Sequence, residues 1–259
     1  MSLDKIVESC RYLLDNYPGA ENCKSYLDSR LSKEAQEIFG FGYFPGIRNI
    51  SLLTDFVGEE VLREEGLLFS REIEDALSRR KIPSCYFENH PLVMPYRNPY
   101  GQVVGLVART ILSEKERTEK DIYKYKNTQE TPLFKKGNLV FGLYENKQHI
   151  LDRGCVYVVE GQFDIIKAVE IGFRNIVALG TSSMSAYQFS VISRYSNNIF
   201  VLLDNDESGN KGRKRINQKF GRFANIRDFY LPDDYKDIDE CITKGKASCF
   251  EEIPFVVKG

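Results

Sequence analysis

The chain has 259 residues, of which 42% are hydrophobic, and its formal net charge is -1 at pH 7. This length allows one large domain or two modest domains with a sizeable core. The near-neutral charge excludes a protein that attracts nucleic acid over its whole surface, so any basic surface has to be local.

The cysteines and the apolar runs restrict the cofactors and the compartment. Six cysteines are scattered without Cys-x-x-Cys spacing, and only two histidines accompany them. Structural zinc sites use four Cys or His ligands at short regular spacings, so we expect no zinc in this chain. Free cysteines are typical of a reducing cytosol. Because the sequence has no run of membrane-span length and no signal-peptide core, we expect a soluble cytoplasmic protein without a membrane partner.

The N-terminal third is predicted to be mainly helical. Apolar residues indicate helices within 6–14 and 23–27, and Ser32 is a typical N-cap for a third helix over 34–39. Residues 50–88 contain two further helical candidates.

The pattern changes to β-structure from residue 92 onward. Residues 92–96 and 103–108 are apolar and flank a turn, which predicts a hairpin. Arg97 and Arg109 close its two strands. The strongly charged segment 113–121 is predicted to be a solvated loop with no role in a pocket.

Strands and helices alternate in the second half. The apolar runs 156–159, 176–179 and 199–203 predict strands, and residues 163–171 and 184–194 predict the helices between them. Crossovers of this length make strands parallel within one sheet and place the loops that follow them at one edge.

Acidic residues follow the first and third of these strands. The motifs are E160-G-Q-F-D164 and D204-N-D-E-S-G209. Four adjacent carboxylates resist full ionisation unless cations intervene. Oxygen ligands favour hard divalent ions, so we predict two Mg²⁺ or Mn²⁺ ions at Glu160, Asp164, Asp204 and Asp206. A structural explanation of each motif alone stays open, because acids favour a helix N-terminus and D-N-D-E-S-G favours a turn.

Residues 211–222 then predict a basic helix. It either contacts a nucleic-acid backbone or is a solvated face. Residues 226–231 predict a fourth strand, and an acidic segment follows within 231–240.

At these motifs the chain resembles a TOPRIM domain, and residues 156–216 are similar to the DnaG-type bacterial and phage primases. The shared features are E-G-x-x-D, A178-L-G-T181 and D-x-D-x-x-G. Residues 25–44, with a tyrosine-leucine pair and F-G-F-G-Y, and residues 123–144, with K-Y-K-N-T-Q-E-T, also resemble the DnaG core. The sequence departs from the family at Asn205, where glycine is usual, and at Gln162, where an aromatic residue is usual.

The resemblance implies a two-lobe α/β fold. Residues 1–150 would form a mixed α/β lobe that binds nucleotide and template. Residues 151–259 would form a TOPRIM lobe, whose mainly parallel sheet is flanked by helices and holds the metals.

The resemblance also adds residues to the candidate site. It places Arg109, Lys124, Asn127 and Lys136 where the family contacts the incoming triphosphate and the template phosphate, and we include Arg97 at the end of the neighbouring strand. Lys and Arg suit phosphate, and Asn can bind a sugar hydroxyl. In the third acidic segment, Asp237 and Asp239 would ligate a metal or support the ligands; a plain acidic helix N-terminus is the open alternative.

The implied activity is that of a DNA primase, a nucleotidyltransferase that joins ribonucleotides on single-stranded DNA during DNA replication. Asp204 and Asp206 would hold metals, Glu160 would ligate one or act as general base, and Asp164 would support them. The expected partners are the DNA template, ribonucleoside triphosphates, and a replicative helicase or a separate zinc-binding module. Two alternatives stay open: a TOPRIM-type nuclease, and a non-catalytic module that binds nucleic acid or the replisome.

Overall fold

The computed structural model describes residues 2–75, 78–232 and 235–244. The backbone packs as two compact units, Met1–Tyr96 with Gln102–Thr131, and Arg97–Gly101 with Pro132–Gly259. The predicted domain boundary at residue 150 stays a prediction. None of the described helices is both long and apolar enough to cross a bilayer.

The first unit contains six helices and six strands among its described residues. The helices are α1 (Ser2–Asn16), α2 (Glu21–Asp28), α3 (Lys33–Phe39), α4 (Ser51–Val57), α5 (Glu59–Glu64) and α6 (Glu114–Lys120). The strands are β1 (Gly42–Tyr43), β2 (Leu68–Asp75), β3 (Ser78–Cys85), β4 (Leu92–Arg97), β5 (Val103–Arg109) and β6 (Tyr125–Asn127). Four of these strands form one sheet in the order β1-β4-β5-β6.

The predicted N-terminal helices are confirmed, and so are the strands predicted at 92–96 and 103–108, which are β4 and β5. The Ser32 side chain caps α3 by accepting the Ala35 N–H at 3.2 Å. The helix ends at Gly40, whose φ of 66° lies in the left-handed region that glycine adopts without strain.

Two parts of the first unit differ from the prediction. Residues 113–121 were expected to form a loop, but α6 occupies most of them because Ser113 and Glu116 form a capping box. Residues 50–88 were expected to contribute helices; α4 and α5 are present, but β2 and β3 then form a separate antiparallel hairpin. Opposite charges face each other across it, with Glu72 and Lys81 at 3.8 Å.

The second unit is a parallel α/β structure. Its described helices are α7 (Leu143–Arg153), α8 (Gln162–Glu170), α9 (Ala186–Ile192), α10 (Glu207–Phe220) and α11 (Ile238–Thr243). Its described strands are β7 (Val156–Val159), β8 (Ile176–Ala178), β9 (Asn198–Val201) and β10 (Asn225–Asp228). The strand order is β10-β9-β7-β8, and all three pairings are parallel. The predicted alternation of strands and helices is therefore confirmed.

The apolar sides of these strands and helices form the core. Val158 and Val201, on the central strands, pack with Ile216 and Phe220 of α10. This packing fixes the strand ends, and therefore the loops that carry the acidic motifs.

Candidate active site

The acidic motifs lie at the carboxyl edge of the parallel sheet. Glu160 directly follows β7, and Asp164 lies in the first turn of α8. The segment 202–205 connects β9 to α10, and Asp206 is the N-cap of that helix. The carboxyl edge is where ligands bind in open α/β sheets.

Asp164 is a buried carboxyl, with 7% of its surface exposed. Its Oδ2 accepts the Gly161 N–H at 3.1 Å, and its Oδ1 accepts the Asp239 N–H at 3.2 Å. Burial raises its pKa to about 8, with the charges of Asp237 and Asp204 adding to the rise. Asp164 therefore joins the first acidic motif to the third acidic segment.

Glu160 has a carboxylate oxygen that lacks a partner. Its Oε1 is buried and accepts no hydrogen bond from any of the described residues. Burial raises its pKa to about 7, the charges of Asp204 and Asp206 raise it further, and a hydrogen bond from the Asp204 N–H opposes the rise. A buried acceptor without a hydrogen-bond partner is energetically unfavourable, and this indicates a ligand from outside the described residues.

Asp204 experiences the charge of its acidic neighbours, whereas Asp206 and Asp237 each cap a helix. Burial and the charge of Asp237 raise the pKa of Asp204 to about 6. Asp206 caps α10 by accepting the Gly209 N–H at 2.8 Å, and Asp237 caps α11 by accepting the Glu240 N–H at 2.8 Å.

The acidic side chains influence one another, but they do not form a ready-made cage. In residues 2–75, 78–232 and 235–244, no three His, Cys, Asp or Glu side chains stand in metal-ligand geometry. The pKa shifts show that Glu160, Asp164 and Asp204 each experience the negative charge of other carboxylates.

Two residues outside the predicted site shape the acidic loop. Asn205 donates from Nδ2 to the carbonyl oxygens of Leu231 and Tyr235, both at 3.0 Å, and so joins the loop to the chain that leads to α11. Arg213, which was grouped with a basic helix face, is only 1% exposed. Its guanidinium donates to the carbonyl oxygens of Leu203 and Asp204.

Arg109 is held by two tyrosines within the first unit. It is 4% exposed, and its Nε donates to the Tyr26 hydroxyl at 2.9 Å while Nη1 donates to the Tyr125 hydroxyl. Both rings lie within cation-π distance, with their centroids 5.5 and 5.1 Å from the guanidinium carbon. The tyrosines fix the orientation of this guanidinium.

The other predicted phosphate-binding residues differ in their surroundings. Lys124 is exposed, and its Nζ lies 5.6 Å from the Tyr125 ring centroid. The Oδ1 of Asn127 is buried and has no hydrogen-bond partner among the described residues. Lys136, in the second unit, begins a short 3-10 turn.

Arg97, the last residue of β4, belongs to the second unit and has a structural partner within that unit. Its Nη1 lies 2.7 Å from the Glu145 Oε1, and the two side chains are 16% and 8% exposed. Burial raises the pKa of Glu145, and the charge of Arg97 opposes the rise. The pair is therefore a largely buried ion pair.

Comparison with known proteins identifies relatives for both units. Residues 11–147 match the family described as "DNA primase catalytic core, N-terminal domain", and residues 157–242 match the family described as "Toprim-like". A DNA primase of Aquifex aeolicus is 30% identical over 246 residues, which cover 93% of this chain and 46% of the relative. A DNA primase of Neisseria meningitidis serogroup B is 31% identical over 74% of this chain and 30% of the relative. The chain thus spans less than half the length of these two relatives.

A solved structure agrees with these matches. The crystal structure of the Aquifex aeolicus primase, with its zinc-binding and RNA polymerase domains, has a TM-score of 0.75 to this chain at 28% identity. The match covers 94% of this chain and 57% of that one.

Proposed function

The chain belongs to the family of DnaG-type DNA primase catalytic cores, and on this premise we propose that it synthesises short RNA primers on single-stranded DNA. The substrates are ribonucleoside triphosphates, and the reaction is a nucleotidyl transfer. The 3′ hydroxyl of one nucleotide attacks the α-phosphate of the next, and pyrophosphate leaves.

The observation that carries the proposal is the buried Oε1 of Glu160, to which none of the described residues donates a hydrogen bond. The pKa values of Glu160 and of the neighbouring Asp164 are raised to about 7 and about 8. Buried carboxylates without counter-charges destabilise a folded protein, and a hard divalent cation offsets this cost. The donor set therefore fits the divalent metals that a polymerising TOPRIM domain needs.

Specific residues are proposed to hold two Mg²⁺ or Mn²⁺ ions. Glu160, Asp164, Asp204 and Asp206 would be the ligands, and no zinc is proposed for this chain. Asp237 and Asp239 would join them or support them. When bound, the cations lower the pKa of the attacking hydroxyl and stabilise the charge on the α-phosphate.

The chain's own groups supply the remaining steps. Glu160 would either ligate a cation or, if it does not, act as the general base that accepts the proton of the 3′ hydroxyl. Arg109 and Lys124 are proposed to bind phosphate groups. The Asn127 Oδ1 is proposed to accept a hydrogen bond from a sugar hydroxyl, because it lacks one within the described chain.

Arg97 and Lys136 are proposed as further phosphate contacts. For Arg97 this role competes with its ion pair to Glu145. A zinc-binding module, such as the one in the Aquifex structure, or a replicative helicase is proposed as partner. A reducing cytosol is the proposed compartment, because five cysteines are buried and free while Cys249 lies outside the described residues.

The proposal is tested with the Asp204→Asn variant. The full chain is incubated with single-stranded DNA, Mg²⁺ or Mn²⁺ and ribonucleoside triphosphates, and the labelled products are separated by size. We expect the variant to make no primers and to keep the unfolding midpoint of the wild type or exceed it. Asp15→Asn, at an exposed position of α1, is the control and should retain full activity.

The same assay separates the alternatives. Primer synthesis by Asp204→Asn would contradict the site assignment. Cleavage of DNA or RNA that needs metal but no ribonucleotides would indicate a TOPRIM-type nuclease. Nucleic-acid binding without either reaction would indicate a non-catalytic module.

A further inference from the structure

The outer face of α10 and the turn after it form a basic surface. Residues 211–227 contain seven Lys or Arg residues and no Asp or Glu, although the net charge of the chain is only -1. Four exposed residues define what we name the α10 patch: Lys214, Arg215, Lys219 and Arg222. The opposite face of the helix, which includes Ile216 and Phe220, is buried in the core.

Within the part of the chain that the structure describes, the positive charges of the α10 patch have no acidic partners. Lys211, one turn earlier, pairs with Glu207 at 2.6 Å, but no carboxylate of the described chain forms an ion pair with a patch residue. Arg215 donates from Nε to the Lys211 carbonyl oxygen, a neutral group. From Lys214 to Lys219 the patch extends over about 8 Å at the helical rise of about 1.5 Å per residue, and Arg222 continues it in the turn after α10. Several unpaired cations within this length would be stabilised by a polyanion.

An aromatic side chain lies at the end of the patch. Phe223 is 70% exposed, yet its ring centroid lies 6.5 Å from that of Phe189. Phe189 in turn stacks on Phe220 at 4.4 Å. The neighbouring rings therefore support Phe223 and leave most of it open to a ligand.

We propose that the α10 patch and Phe223 bind single-stranded DNA. The Lys and Arg side chains contact consecutive phosphates, and the Phe223 ring stacks on a base. Cations along a backbone track and an exposed aromatic platform are the combination with which proteins hold single strands. A duplex would meet the cations equally well, but its paired bases offer no free face to Phe223. The proposal rests on the proposed function only in identifying the strand as primase template.

The first test measures the salt dependence of binding. Fluorescence anisotropy of labelled oligodeoxythymidylate is recorded with the full chain, in EDTA and without ribonucleotides. Lys214→Gln/Lys219→Gln should reduce the slope of log K against log salt by about 1.4, at about 0.7 per phosphate contact on a single strand. This corresponds to about 25-fold weaker binding at ~0.1 M salt and to nearly equal binding at ~1 M.

A matched control removes two lysines elsewhere. Lys115 and Lys120 are exposed on α6, so Lys115→Gln/Lys120→Gln changes the net charge equally. We expect this control to bind like the wild type. If the α10 double variant also keeps the affinity and the salt slope of the wild type, the patch contacts no phosphate and the proposal is wrong. The same result is expected if the surface binds an acidic protein and not DNA.

The second test concerns Phe223. Phe223→Ala should weaken binding to the single strand about tenfold, as expected for one lost base stack, without changing the salt slope or the unfolding midpoint. Binding to a blunt duplex should not change. Equal weakening for both DNA forms, or none for the single strand, would overturn the stacking assignment. DNA binding by a wild-type chain that makes no primers would refute the proposed function and leave this proposal standing.

Discussion

Replacing Asp164 with asparagine should stabilise the metal-free protein near pH 8 and destabilise it near pH 4. Burial and the charges of Asp237 and Asp204 raise the pKa of Asp164 from 3.8 to about 8 in the folded state. Unfolding returns the pKa to about 3.9. Because the folded-state pKa is the higher one, the contribution of this carboxyl to stability is complete below about pH 4 and is lost as the pH rises to about 8.

The size of the stability change follows from the raised pKa of Asp164 and from its two hydrogen bonds. A pKa of about 8 in the folded state and about 3.9 in the unfolded state corresponds to about 5 kcal/mol near pH 8. Asp164 also accepts the N–H groups of Gly161 and Asp239, and an asparagine amide has only one oxygen for them. The unpaired N–H costs about 1–3 kcal/mol at either pH. The variant should therefore be about 2–4 kcal/mol more stable near pH 8 and about 1–3 kcal/mol less stable near pH 4.

The assay is unfolding by urea in the presence of EDTA, monitored by circular dichroism at several pH values between about 4 and about 8. Asp15→Asn, on the exposed side of α1, provides the control and should show no crossover. A loss of stability by Asp164→Asn that is the same at every pH would refute the reasoning. Adding Mg²⁺ should stabilise the wild type more than the variant. Binding to the folded state stabilises it, and the variant lacks one of the carboxylates that are proposed to bind the ion.

Two further substitutions test the loop and the ion pair. A Cβ added at Gly209 would lie 2.0 Å from the Asp204 carbonyl oxygen, whereas one at Gly137 would meet nothing within 4 Å. Gly209→Ala should therefore lower the free energy of unfolding by about 1–3 kcal/mol and abolish primer synthesis, while Gly137→Ala should leave both nearly unchanged. Arg97→Met leaves Glu145 buried without its partner and should lower the free energy of unfolding in urea by about 3–5 kcal/mol at neutral pH. A smaller decrease at pH 4 than at pH 7 would confirm that the unpaired charge of Glu145 is the cause, and equal decreases would contradict it.

The parallel sheet of the second unit was predictable because its signals are local. Short β-branched runs such as 156–159 can bury both faces, and the helices between them have clear apolar periodicity. The hairpin of β2 and β3 lacked such a signal. Its strands are rich in charged residues, and Glu72 pairs with Lys81 across the hairpin. Such cross-strand pairing is not visible in the sequence of a single strand.

Helix α6 was missed although its signal was present. Ser113 and Glu116 have the spacing of a capping box, but the run of charges was interpreted as a loop. Arg213 was missed for a different reason. Its position follows from helical periodicity, because Gly209, Ile216 and Phe220 share its buried face, yet a charged residue is rarely placed in a core without a visible partner. Its partners are neutral groups, namely two backbone carbonyl oxygens and the side-chain amide oxygens of Asn205 and Asn210, and none of them predicts a buried arginine from the sequence.

Arg213 is one of several groups that stabilise the acidic loop when no cation is bound. Burial and mutual repulsion raise the pKa values of Glu160 and Asp204 to about 7 and about 6. The Asp204 N–H opposes the first shift and Lys236 opposes the second, and the charge of Arg213 opposes both more weakly. The arginine therefore neutralises only part of the negative charge. A carboxyl with a pKa of about 7, such as that of Glu160, is partly protonated at neutral pH, so the proposed divalent cations would have to displace a proton when they bind. We therefore expect metal affinity at the proposed site to rise with pH until the carboxyls are fully ionised.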